Sequence, residues 1–405
     1  MDDILTNTVG LLVAAIVVAQ IARRLALPYT VGLVIAGIAL AAARTALAVK
    51  LTHDLVFDVI LPPLLFEAAI NIHWPELRRD IVPVLTLAIL GTVIAAVIVA
   101  AGLVWFFAWP LPSALVFGVL IAATDPVAVI AMFKDNGIGG RIRLLVESES
   151  LLNDGVAAVL FVLVLAWAQG SGGGGQPPGA AHVLTDLAVT VGGGLLAGAI
   201  AGALGIVIAG RTDDHLIEAA LTTVVAYGSF LGAERFGGSG VLAAVTAGMI
   251  VGNRGLLRDD LARGFTPHGR EFVIELWEFI AFIANSLVFL LIGVAIAGIG
   301  HDVAVATTIL LVNVLVLIAR AATVYPLALP FRRTKRSIAW REQHVLWWGG
   351  LRGALGLALA LSLPESLPMR DSILVAAFGV VAFSVIVQGV TMPMLLRVLG
   401  FQRHR

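Results

Sequence analysis

Apolar residues in this chain come in long unbroken runs, not in the alternating pattern of soluble strands or the one-faced pattern of soluble helices. Runs of about 20 apolar residues mark helical spans, because that many are needed to cross the bilayer hydrocarbon at the helical rise. By this criterion the chain has about thirteen spans, over residues 4–21, 28–43, 54–72, 81–105, 113–133, 143–168, 183–209, 216–231, 239–251, 271–297, 303–329, 344–363 and 372–396. The expected fold class is therefore an all-α polytopic membrane protein.

Charge placement tests that count, since Lys and Arg should gather in alternate, cytoplasmic loops. Twenty of the 26 fall on one side and only Arg44, Lys50, Arg235 and Arg370 on the other, with Arg320 and Arg352 inside spans. A missed or invented span would scramble this alternation. The expectation is a multi-pass protein of the cell membrane with its N-terminus outside and its C-terminus cytoplasmic. The first residues, Met-Asp-Asp-Ile-Leu-Thr-Asn, are acidic where a signal peptide is basic, so the first run reads as the first span.

Composition agrees: 60% hydrophobic, 13% charged, mean hydropathy +1.01. Almost no polar stretch is long enough for a soluble domain, so residues 1–405 read as a single membrane domain. The absence of cysteine excludes disulfides, thiol catalysis and cysteine metal sites. The net charge of zero carries no information about partners, and none of them is expected to be nucleic acid.

The low-complexity stretch Gly170–Ala181 reads as a loop that divides the chain into six spans (1–168), one linking span (183–210) and six more (213–400). An odd linker inverts the second half relative to the first, an arrangement used by secondary transporters. The halves share no visible sequence identity, but the fifth span carries Thr124-Asp125-Pro126 and its counterpart, the twelfth, carries Gly349-Gly350-Leu351-Arg352-Gly353. Proline removes a backbone donor and clustered glycines weaken a helix, so both spans should break at midmembrane, where such proteins build ion sites.

Ionisable residues inside spans are costly and point to function. In Glu149-Ser150-Leu151-Leu152-Asn153-Asp154, residues four apart share a helix face, which places Ser150 over Asp154 and Glu149 over Asn153. Asp154 and Ser150 offer hard oxygen ligands for a small cation, with carbonyls freed near Thr124 to complete the shell. Glu147, nearer the helix start, reads as a solvated polar end. Asp125 can ligate, directly or through water, or cap the half-helix opened by Pro126, and the two roles are compatible. Glu67, in Leu-Pro-Pro-Leu-Leu-Phe-Glu, is a third intramembrane carboxylate and a candidate for the ion path. Buried arginines stay charged and need partners; Arg320 is assigned to Glu149, and Arg352 either to carbonyls of the broken helices or to the cytoplasmic surface near Trp347 and Trp348.

Gly194, Gly198 and Gly202 form a small-residue face for close packing, within the chain or across a dimer. The run Arg-Arg-Thr-Lys-Arg from Arg332 reads as a cytoplasmic loop, where an anionic-lipid contact is unspecific. No hydrolase or metalloprotease motif is present, so no enzyme is expected. Asp125 and Asp154 lie on adjacent spans, as an intramembrane aspartyl protease would require, but Asn153 and Ser150 suit cation coordination better. A cation channel is the alternative of another class, although the polar residues converge on one cluster instead of lining a pore.

Ala-Thr-Asp-Pro-Val-Ala-Val, Glu-Ser-Leu-Leu-Asn-Asp-Gly, Leu-Pro-Pro-Leu-Leu-Phe-Glu and Gly-Gly-Leu-Arg-Gly together resemble the NhaP-type sodium/proton antiporters and the animal sodium/hydrogen exchangers. The resemblance implies a homodimer in membrane lipid. Each thirteen-span protomer would have a dimerisation domain and a six-helix core with broken, crossing fifth and twelfth spans. It implies that Asp154 and Ser150 bind the cation, helped by Thr124, Asp125 and Glu67, and that Glu149 holds Asn153 and pairs with Arg320. Electrogenic relatives carry Asp-Asp where this chain has Asn153-Asp154, so electroneutral exchange is expected, with no cofactor beyond the transported Na⁺ and H⁺. Li⁺ and K⁺ remain open as cargo, and regulation through a large cytoplasmic tail is not expected.

Overall fold

The computed structural model describes residues 2–24, 28–43, 51–135, 137–172, 180–257, 264–298 and 303–401. Among them all regular structure is helical. In chain order the helices are α1 (Asp2–Arg24), α2 (Tyr29–Ala42), α3 (Leu61–Ile70), α4 (Trp74–Leu85), α5 (Thr92–Phe107), α6 (Leu111–Ala122), α7 (Val127–Asp135), α8 (Arg141–Gly172) and α9 (Ala180–Ala209). There follow α10 (His215–Arg235), α11 (Gly240–Val251), α12 (Pro267–Ala297), α13 (Val303–Ala328), α14 (Trp340–Trp348), α15 (Ala354–Leu361), α16 (Arg370–Phe383) and α17 (Gly389–Val398). Each apolar stretch predicted from sequence falls on a helix or a pair of helices. Among the described residues seven helical stretches are, by length and composition, long and apolar enough to cross a membrane: Trp74–Phe107, Arg141–Gly170, Leu184–Ala209, His215–Arg235, Pro267–Ala297, Val305–Phe331 and Arg370–Val398. Residues 173–179 of the glycine-rich stretch lie outside the described residues, as do Arg44, Lys50, Arg258, Arg263, Arg403 and Arg405 of the charge count.

The helices are not uniform. Pro83 sits inside α4, and three residues later the helix widens into the π turn Thr86–Gly91 that joins α4 to α5. Proline supplies no amide and crowds the preceding turn, so the ladder changes register there. A second π turn, Ser384–Gln388, joins α16 to α17, and a third, Leu55–Ile60, leads into α3. Such turns are frequent at functional sites.

The chain forms two compact units: residues 1–56, 82–153 and 285–405, and residues 57–81 and 154–284. These units do not coincide with the expected division into 1–168, 183–210 and 213–400. In the first unit, Val129 and Phe133 of α7, Leu346 of α14 and Met392 of α17 close one apolar core. Gly37 of α2 and Gly293 of α12 lie back to back, each against the other's backbone.

In the second unit α9 packs on α11 through the predicted glycine face. A Cβ at Gly194 would lie 2.6 Å from the Ser239 carbonyl, one at Gly202 3.1 Å from the Ala247 carbonyl, and one at Gly198 would run into the Ala243 carbonyl. The glycines therefore serve helix contact within the chain. Phe66, Ala226, Val251 and Trp277 fill the core beside this pair. Asn253, in the π turn after α11, ties down the bend between α3 and α4: its amide donates to the Ile72 carbonyl at 2.8 Å and its Oδ1 accepts from the Trp74 amide at 2.6 Å.

Candidate ion site

Two helices of the first unit break where the sequence predicts. α6 stops at Ala122 and α7 starts at Val127, because Pro126 has no amide and holds Asp125 away from helical geometry. α14 stops at Trp348 and α15 starts at Ala354, across the glycine run. The breaks meet: the Asp125 amide donates to the Leu351 carbonyl at 2.7 Å.

A break leaves amides and carbonyls that must be satisfied away from water. At the end of α6 the carbonyls of Ala122 and Ala123 accept from Nη1 of Arg352 at 2.8 and 3.0 Å. At the end of α14 the Leu346 carbonyl accepts from Nε and Nη2 of Arg320 at 3.3 and 3.1 Å, and the Trp348 carbonyl from Nε2 of Gln388 at 2.9 Å. At the opposite ends, Asp125 caps both following half-helices. Its Oδ1 accepts from the Val127 amide at 2.8 Å, and its carboxylate also takes the Ala354 amide. Negative charge thus faces helix N-termini and positive charge faces C-termini, the favourable sense for each dipole. Glycine makes this possible in a second way, beyond weakening the helix. A side chain at Gly353 would overlap the Asp125 carboxylate, and a Cβ at Gly350 would lie 2.8 Å from Nε of Arg320.

α8 supplies the polar stripe beside the first break. Nδ2 of Asn153 donates to Oγ1 of Thr124 at 2.6 Å and to Oε1 of Glu149 at 3.2 Å, while its Oδ1 accepts from the Thr124 amide at 3.1 Å. The Thr124 hydroxyl meets the Ser150 hydroxyl at 3.0 Å. Glu149 is 2% exposed and forms a two-pronged pair with Arg320, Nη1 to Oε1 and Nη2 to Oε2, both at 2.8 Å. One hydrogen-bonded chain therefore runs from Arg320 through Glu149, Asn153 and Thr124 to Ser150.

Asp154 lies one turn beyond Ser150 on the same helix and begins the second unit. Glu67, on α3 of the second unit, accepts from Nδ2 of Asn71 at 2.9 Å. Of the two readings of Asp125, capping is seen directly. Of the two for Arg352, contact with the carbonyls of a broken helix is the one found, at 4% exposure. Glu147 departs from expectation: it is buried, and Nε of Arg143, one turn earlier, covers it at 3.5 Å. Sequence reasoning passed over Ser384 and Gln388. Ser384 Oγ accepts from the Arg352 amide at 3.0 Å, so both residues hold the second break from a π turn. Their signal was two polar side chains four apart in the otherwise apolar Phe-Ser-Val-Ile-Val-Gln-Gly-Val.

Interrupted helices that meet at midspan, their ends neutralised by fixed charges beside a buried polar stripe, define a polytopic membrane protein built as ion-coupled transporters are. The chain belongs to the sodium/hydrogen exchanger family: residues 11–398 match the family model described as "Sodium/hydrogen exchanger, transmembrane". It is 44% identical over 354 residues to the Na⁺/H⁺ antiporter ApNhaP of Aphanothece halophytica, covering 87% of this chain and 66% of that protein. It is 38% identical over 366 residues to the low-affinity Na⁺/H⁺ antiporter NhaS1 of a Synechocystis species, covering 88% and 67%. The chain thus spans about two thirds of the length of these relatives. In fold it is similar to the sodium proton antiporter MjNhaP1 of Methanocaldococcus jannaschii, with TM-score 0.75 and 20% identity over 98% of this chain and all of that one.

Proposed function

We propose that the chain exchanges a monovalent cation, Na⁺ first, for a proton across the cell membrane, with Asp154 carrying either one. The observation that carries this reading is the consumption of Glu149. Its carboxylate is locked against Arg320, and the amide of Asn153 cannot titrate. Asp154 is then the carboxylate of the stripe assigned to exchange, with Ser150 and Thr124 as further oxygen ligands and Asp125 and Glu67 in support. Proton and cation exclude each other there. If only the neutralised site crosses the barrier, each turnover exchanges one proton for one cation and moves no net charge.

The fixed charges at the breaks fit this cycle. Arg352, Arg320 and Asp125 are each committed to a helix end, so the polar geometry around Thr124 is held by groups that need not change charge. The family relatives named as Na⁺/H⁺ antiporters support the same cargo. The remaining expectations belong to this proposal: thirteen spans in two inverted halves, N-terminus outside, a homodimer in lipid, and alternating exposure of the site.

The test is a proton-sensitive dye inside proteoliposomes, with Na⁺, Li⁺ and K⁺ added in turn. Exchange predicts dequenching that follows the added cation and persists at zero membrane potential. Cation entry without proton movement would instead identify a channel.

A further inference from the structure

The basic run between α13 and α14 is more than a loop obeying the positive-inside rule. Arg332, Arg333, Lys335, Arg336 and Arg341 lie within ten residues, all exposed. From Arg320 to Leu363 the sequence holds one acid, Glu342. That acid is already used: its Oε2 accepts from Nη1 of Arg141 at 3.2 Å and from the Ala339 amide at 2.7 Å. Among the described residues Arg332, Arg333, Lys335 and Arg341 form no ion pair.

The run is also shaped, not slack. Arg141 of α8 donates to the carbonyls of Arg336 and Ser337 at 3.2 and 2.8 Å, which fixes the backbone that carries the cations. At its end stands Trp340, 65% exposed, with no protein acceptor for its indole N–H among the described residues and its ring 4.4 Å from that of His344. Leu329, at the start, is 63% exposed. Unpaired cations bracketed by an exposed leucine and an exposed tryptophan, at the end of the apolar α13 and the start of α14, match the junction of headgroup and acyl chain.

We propose that residues 329–341 form a docking surface for anionic phospholipid. The phosphate would lie among Arg332, Arg333, Lys335 and Arg341, and Trp340 would sit at the headgroup level. The surface leads directly into α14, whose last carbonyls are held by Arg320 and Gln388, so a bound lipid pins the start of the broken helix. This inference stands independently of the transported ion.

The test is the melting temperature of the purified chain in neutral detergent, titrated with phosphatidylglycerol, phosphatidylcholine or glycerol phosphate. Phosphatidylglycerol should raise it and the other two should not. Arg332→Gln/Arg333→Gln should raise the half-saturating phosphatidylglycerol by about 30-fold, given roughly 1 kcal/mol per cation near an anionic surface. Arg211→Gln/Arg254→Gln, an equal loss of exposed charge elsewhere, should change it less than about twofold. Should the loop variant fail to fold, Lys335→Gln/Trp340→Ala reads the same surface. Equal responses of the loop and control variants would overturn the proposal, as would equal shifts by the two lipids or a full shift by glycerol phosphate alone.

Discussion

The pair between Glu149 and Arg320 is assigned to structure, and its removal gives a quantitative test. Their side chains are 2% and 8% exposed, and two 2.8 Å contacts join them. Glu149→Gln leaves a guanidinium that cannot lose its proton with only neutral oxygens, the new amide's and the Leu346 carbonyl's, for compensation, at a cost of about 3–5 kcal/mol. Arg320→Gln leaves a buried carboxylate and also strips the Leu346 carbonyl of its donor, a further cost of about 1–3 kcal/mol. The double variant removes both charges, and the main loss that remains is that carbonyl's partner, about 1–3 kcal/mol. Each single variant should therefore lose more than the double variant, and the two single losses together should exceed the double loss by about 6 kcal/mol or more. Thermal unfolding in detergent reads this as both single variants melting below the double variant. A double variant that melts lower than either single, by the sum of their losses, would refute the pairing.

Other outcomes follow from the same contacts. Gln388→Leu bares the Trp348 carbonyl at the end of α14 and should cost about 1–3 kcal/mol, lowering the melting temperature, whereas Gln388→Asn should restore little because its amide is one methylene short. Gly198→Val drives a side chain into the Ala243 carbonyl and should lower the yield of folded protein in detergent, whereas Gly228→Ala, which meets open space, should not. Exchange should reach the same equilibrium cation gradient with and without an imposed potential, since one net charge per cycle would shift it by about 2.3 kcal/mol per 100 mV. A voltage-dependent reversal point would show that a second carboxylate titrates.

Much of the scaffold was legible because its causes are local. Unbroken apolar runs specify helices in lipid, Pro126 and the run from Gly349 specify the breaks, and two intramembrane arginines demand partners. Glu149 could be matched to Arg320 because a buried arginine needs a carboxylate and few were on offer. The unread part is non-local. The sequence does not say that Asn153 reaches back to the Thr124 amide, that Asp125 caps α7 and α15 together, or that Ser384 and Gln388 hold the second break, because these depend on how α8, α15 and the Ser384–Gln388 turn approach the crossing. Glu147 was misread for a related reason: its place near the helix start implied solvent, but Arg143 one turn away covers it.

The central claim, that Asp154 carries proton and cation in turn, is tested most directly by Asp154→Asn in proteoliposomes carrying an internal pH dye. The amide keeps the shape and one oxygen ligand but removes both the charge and the titrating proton. The account predicts that a Na⁺ pulse, which dequenches the dye in wild-type vesicles, leaves it unchanged in Asp154→Asn vesicles holding the same amount of folded protein. Dequenching at the wild-type rate and extent would contradict it.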